Sequence, residues 1–153
     1  MDRSDIDQLD PLPPETVGLI QRRIEDEHDY LSWLNTSVDT VERGRIVMSI
    51  PFDPKLTNAD GTTIHGGVAA TLIDTAGGVA QRTAFEDPST GNVATVNLNT
   101  NYLRPATDDL RAEATVIRSG GSIGVSDMTV TSQTNGTQST VVVGQGSYRL
   151  FRE

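Results

Sequence analysis

Asp74 is the residue around which chemistry could be built. It lies in the stretch "TTIHGGVAATLIDTAGGVA", residues 62–80, and between Val68 and Ala80 every other side chain is apolar, small or a threonine. That composition predicts a helix from Gly66 to about Phe85 with no polar face, so the helix should be enclosed on all sides. Asp74 is then enclosed with it, and its neighbours three and four residues away, Ala70, Thr71, Gly77 and Gly78, supply no cation. Isolating a carboxylate from water and from partners is costly, and it is how active sites ready a general base or a nucleophile. The competing reading is structural, with the acid bonded to a backbone amide or to an arginine from elsewhere in the chain.

The residues before the helix favour chemistry. His65, Gly66 and Gly67 fall where the helix starts, and the first backbone N–H groups of a helix have no partner within it. They carry the positive end of the helix dipole, and glycine lets a ligand approach them closely. A His-Gly-Gly turn is weak evidence alone. Followed by a helix bearing one acid, it suggests an oxyanion hole facing a polarised carbonyl. Asp74 is eight residues beyond Gly66, about 12 Å along the axis, and nine beyond His65, about two and a half turns, so turn and acid project to opposite sides. If they share a site, a second copy of the chain should supply one of them, and a two-fold dimer then has two equivalent sites.

The rest of the chain must position these groups. Residues 1–13 are rich in Asp and Pro without periodicity and predict a mobile acidic arm; 14–153 should form one domain. From Pro14, Val17, Ile20, Ile24, Leu31 and Leu34 fall at helical spacing, with a break near His28. A hairpin turning at Glu42 to Gly44 follows, with Ile46, Met48 and Ile50 alternating. Beyond the central helix, "NVATVNLNTNYLRPA" predicts a strand on which Thr95, Asn97, Asn99 and Asn101 share one polar face. Three more strands form a meander with turns at Gly120-Gly121 and Asn135-Gly136. The expected class is α+β, an antiparallel sheet around a long central helix.

Composition narrows the partners. The net charge is −9, Asp outnumbers Glu by 14 to 7, and Lys55 is the single lysine. Such a surface repels nucleic acid and anionic membrane. Its balance also resembles that of proteins from salt-loving organisms, where ionic strength screens self-repulsion. Cysteine is absent and there are two histidines, which argues against thiolate chemistry, disulfides and a metal site. With no signal-like N-terminus and no long apolar run, a soluble cytoplasmic protein is expected.

The combination of "IHGGVAATLIDTAGGVA" with "VNLNTNYLRPA" resembles the hotdog-fold thioesterases of the PaaI type, which include thioesterase superfamily member 2 proteins; the likeness spans about residues 30–150. The resemblance implies a sheet wrapped round a central helix, dimers paired into tetramers, and hydrolysis of acyl-CoA thioesters with no metal or cofactor. By position it implies Asp74 as catalytic carboxylate, Gly66 as oxyanion N–H donor and His65 as support for the turn, with Gly67 beside the substrate. It also implies a catalytic role for Asn58, although "NADGTTIH" runs one residue longer than the family's spacing, and a hydroxyl near the acid at Thr95. Asn97 and Arg104 are further substrate-binding candidates, the latter for a CoA phosphate. Two other classes fit the same fold. An enoyl-CoA hydratase or dehydratase would need a His beside the acid, and the only core-adjacent His in the pattern is His65. A non-catalytic acyl-CoA sensor would normally carry a DNA-binding segment, and none is visible.

Overall fold

The computed structural model describes residues 1–152. Six antiparallel strands form one sheet in the order β1-β2-β4-β5-β6-β3. They are β1 (Ser37–Glu42), β2 (Arg45–Ile50), β3 (Asn92–Tyr102), β4 (Leu110–Ser119), β5 (Ile123–Thr134) and β6 (Thr137–Phe151). Three short helices precede them, α1 (Arg3–Ile6), α2 (Pro14–Glu25) and α3 (Asp29–Trp33), and the long helix α4 (Gly66–Thr83) touches all six strands. This is the hotdog arrangement, with the sheet curled round α4.

Alternation builds the inner face of that sheet. On β4, Leu110, Ala112, Ala114 and Val116 are buried while the residues between them are not, and the two alanines leave room for the helix. Leu72, Ile73, Ala76 and Ala80 of α4 pack there against Ile46, Met48, Ile50, Met128 and Val130. Fully burying one Leu or Ile stabilises the fold by about 1.5–3 kcal/mol. The β5–β6 turn has Asn135 and Gly136 both at positive φ, 52° and 75°, as a two-residue hairpin requires. Arg43 closes the far end of α4 by donating from Nη1 to the Thr83 and Phe85 carbonyls, which the helix itself leaves without partners.

Three expectations change. Residues 1–13 are not a free arm: Ile6 is fully buried in the core, Arg3 donates to the Arg43 and Gly44 carbonyls, and the N-terminal amine donates to the Ser119 carbonyl. A four-residue helix with one apolar residue has no periodicity to read, yet one isoleucine suffices to dock it. The central helix stops at Thr83, two residues early, where Ala84 caps it. The helix is also not enclosed within one chain. Thr71, Asp74, Thr75, Gly78 and Arg82 recur at helical spacing as a half-exposed stripe, because β3, the edge strand beside it, has no further neighbour.

Candidate active site

The start of α4 is built almost wholly from backbone. Residues 56–65 form a tight hairpin: Thr57 bridges Ile64, the Asn58 N–H donates to the Thr63 carbonyl, and the His65 N–H donates to the Leu56 carbonyl. At its tip the Asp60 carboxylate accepts from the N–H groups of Thr62 and Thr63, both at 2.9 Å, which holds its own pKa below the usual carboxylate range. The turn leaves Asn58 lining the same cavity as Gly66. His65 is the N-cap of α4, and its Nδ1 accepts from the Gly67 N–H at 2.9 Å, which puts the ring proton of the neutral imidazole on Nε2. A Cβ on residue 67 would lie 2.9 Å from that same Nδ1, so a larger residue would push the imidazole off its cap position.

Gly66 is the available donor. Among the described residues nothing accepts from its N–H, whereas its carbonyl accepts from the Tyr102 hydroxyl at 2.8 Å. A cavity of about 350 Å³ opens here, lined by Asn58, Gly66, Tyr102, Leu103, Arg104 and Val142 among others. Arg104 donates to the Thr140 carbonyl at 2.7 Å, which fixes the stem of its head group at this rim.

Asp74 faces a different cavity, of about 340 Å³. The Thr95 hydroxyl donates to its Oδ1 at 2.7 Å, so a neutral donor meets the acid, and no cation among the described residues pairs with it. Behind it, the buried Tyr148 hydroxyl donates to the Asp74 backbone carbonyl at 3.2 Å and occupies the space that a side chain on Gly77 would take. Burial first, and the Asp74 carboxylate second, push the Tyr148 phenol far above its ordinary pKa, so it remains a neutral donor. Val93, Gly78 and Arg82 line the cavity further along.

The two cavities share no lining residue. One chain therefore presents Asn58, Gly66 and Arg104 together, and Asp74 and Thr95 together, but does not join the groups. Two candidates are placed differently from the sequence pattern. Gly67 has its N–H occupied by His65. Asn97 lies on the opposite face of the sheet from Thr95: β3 pairs Thr95 with Tyr148 and Asn97 with Ser147, leaving Val96 as an extra residue in a bulge. A bulge breaks the two-residue alternation, so Thr95 faces α4 while Asn97, Asn99 and Asn101 face outward.

The pattern also missed His28. It caps α3, accepting from the Leu31 N–H through Nδ1 at 3.4 Å, and it lines the Asp74 cavity. His65 is thus not the only histidine near the candidate chemistry. The break between α2 and α3 was the visible signal; its alignment with Asp74 depends on how the helices dock.

Fold and site together place the chain in the class of hotdog thioesterases. It belongs to the thioesterase superfamily, whose family profile matches residues 61–139, and is a thioester hydrolase. A protein of Halobacterium salinarum with an esterase designation is 44% identical over 145 residues, 91% of this chain and 95% of that one. Among solved structures, zebrafish thioesterase superfamily member 2 matches with a TM-score of 0.74 at 25% identity, over 91% of this chain and 99% of that one. The PaaI protein of the Escherichia coli phenylacetic acid degradation operon shares the fold, with a TM-score of 0.76 at 22% identity over 89% and 94%. No helix among the described residues is long and apolar enough to cross a membrane.

Proposed function

We propose that this protein hydrolyses acyl-CoA thioesters at sites each completed by two protomers. The observation that carries this reading is the separation of donor and acid: the free Gly66 N–H and the Asp74 carboxylate open into different cavities of one chain. The half-exposed stripe on α4 and the unpaired edge of β3 lie together, where a second copy would cover both. A long edge strand is ordinarily covered in a soluble protein, and pairing two β3 strands about a two-fold axis would place each Asp74 against the other subunit's turn. Such dimers would pair further into tetramers, and the acidic composition fits a salt-rich cytoplasm.

In this site the thioester carbonyl oxygen accepts from the Gly66 N–H, with Asn58 beside it. Asp74 removes a proton from water as that water attacks the carbonyl carbon. Collapse of the tetrahedral intermediate breaks the C–S bond, and the CoA thiolate leaves and is protonated. Thr95 holds Asp74 through one carboxylate oxygen and leaves the other for the water. Direct attack by Asp74 would instead form an anhydride that water then opens. Label in the Asp74 side chain after a single turnover in ¹⁸O-water would establish an anhydride opened at Cγ, and trapping with hydroxylamine would detect one opened at the acyl carbon.

The deciding experiment is release of free thiol from a panel of acyl-CoAs by wild type and Asp74→Asn. Release that depends on Asp74 is expected; a folded wild-type protein that releases none from any thioester overturns the reading. His28 beside Asp74 keeps an enoyl-CoA hydratase as a second reading, which addition of water to the double bond without thiol release would favour.

A further inference from the structure

The Asp74 cavity has a second charged end. Arg82 lies eight residues beyond Asp74 on α4, about 12 Å along the axis on the same stripe, and lines the same cavity. Its Nε donates to the Pro88 carbonyl at 2.8 Å and its Nη2 to the Ser89 carbonyl at 3.3 Å. These bonds fix the guanidinium plane, while Nη1 has no acceptor among the described residues. Arg82 also makes no ion pair among the described residues, in a chain with 21 acids. Between acid and base the wall is small and apolar, made by Gly78, Val79 and Val93.

A half-buried guanidinium with a fixed plane and an open donor fits a planar anion. Resting on the thioesterase reading, we propose that Arg82 selects acyl groups bearing a terminal carboxylate, that is, monothioesters of dicarboxylic acids. The thioester would sit at Asp74, the chain would run past Gly78, and the far carboxylate would meet Nη1. Burial, and after it the charge of Arg23 nearby, weakens the hold of Arg82 on its proton, and a bound anion would relieve both effects. The phosphates of coenzyme A are the other anions in the substrate. They lie a full pantetheine arm from the sulfur, farther than the roughly 12 Å along α4 that separates Asp74 from Arg82. The carboxylate must also clear Asp74, so selection depends on length: a short diacid brings two carboxylates together, and a longer one reaches Arg82.

The test compares kcat/KM for succinyl-, glutaryl-, adipoyl- and suberoyl-CoA with butyryl-, valeryl-, hexanoyl- and octanoyl-CoA, in wild type, Arg82→Gln and Arg82→Lys. The quantity read is the ratio of each diacid thioester to its neutral counterpart, so any effect of the substitution common to both substrates cancels. In wild type the ratio should rise with length and reach about tenfold in favour of a longer diacid, the scale of one charge-assisted bond. Arg82→Gln should bring it to one or below, and Arg82→Lys should retain part of it. The same panel as N-acetylcysteamine thioesters, which lack phosphate, should keep the preference. Ratios below one at every length, or a preference that survives in Arg82→Gln, would overturn the proposal. So would an Arg82→Gln penalty equal for all CoA thioesters and absent from the N-acetylcysteamine series, which would assign Arg82 to phosphate. Thiol release from neutral thioesters without diacid preference defeats this inference alone; no release from any thioester defeats the hydrolytic reading and this selection with it.

Discussion

The turn cavity and the acid cavity are held by different kinds of structure. At the turn, the proposed reactive group is a backbone N–H, and its position follows from a short hairpin, an N-cap and the first turn of α4. All of this lies within residues 56–67, apart from the Tyr102 hydroxyl that closes it. At the acid, the proposed reactive group is a side chain on a half-exposed stripe, held by Thr95 from β3 and Tyr148 from β6, residues 21 and 74 positions away. Local chemistry builds the first half; the packing of distant strands against the helix builds the second. In the proposed function each is incomplete without the other.

Separating the halves by mutation gives the largest effect. Asp74→Asn keeps the shape and removes the base, and thiol release should fall by about 10² or more. Gly66→Pro removes the N–H donor, and that homodimer, if folded, should be similarly inactive. In a mixed dimer one site takes both defects and the other none. Random refolding of equal amounts makes half the dimers mixed, so activity should return to about a quarter of the wild-type value per subunit. Demonstrated exchange of chains with no recovery would mean that donor and acid act within one subunit, and the comparison would collapse.

Thr95→Val tests the distant half more gently. It removes the bond to Oδ1 and leaves the carboxylate, so kcat should drop about tenfold, the scale of one hydrogen bond to a charged group, with little change in KM. A change confined to KM would make Thr95 a substrate contact and not a support for the acid. On the local side, Gly67→Ala forces a Cβ against the His65 ring and should disturb only the turn. Displacing the His65 cap from this N–H would cost about 0.5–2 kcal/mol, read as a lowered melting temperature. Its activity should be restored in mixed dimers with Asp74→Asn as for Gly66→Pro, which assigns the defect to the turn half.

The smallest effect concerns both halves alike. With 21 acids against 12 bases, self-repulsion should weaken the folded state in dilute salt, and melting temperature should climb as KCl approaches molar concentration. A flat or falling curve would remove the high-salt reading and leave the two-cavity comparison untouched.

Within the candidate site, most departures from the sequence pattern fall on the distant half, Gly67 with its occupied N–H being the exception. The helix start at Gly66, the strand order along the chain and the turn at Asn135-Gly136 follow from local composition, and the structure has them. Thr95 and Asn97 look equivalent in an alternating strand until the bulge at Val96 sends them to opposite faces. Asp74 looks enclosed because its helix has no polar face, yet the strand order leaves that stripe half-exposed beside an edge. His28 and Arg82 give no sign in the sequence that they share its cavity.

By itself the sequence determined the elements and the backbone half of the candidate site, because helix starts, caps and turns depend on neighbours a few residues apart. That donor and acid project apart follows from their spacing along α4; only the tertiary structure decided which side chains surround the acid and which face of β3 meets α4. Those outcomes depend on register and strand order, set by contacts among residues tens of positions distant, and a single extra residue in one strand is enough to reverse them.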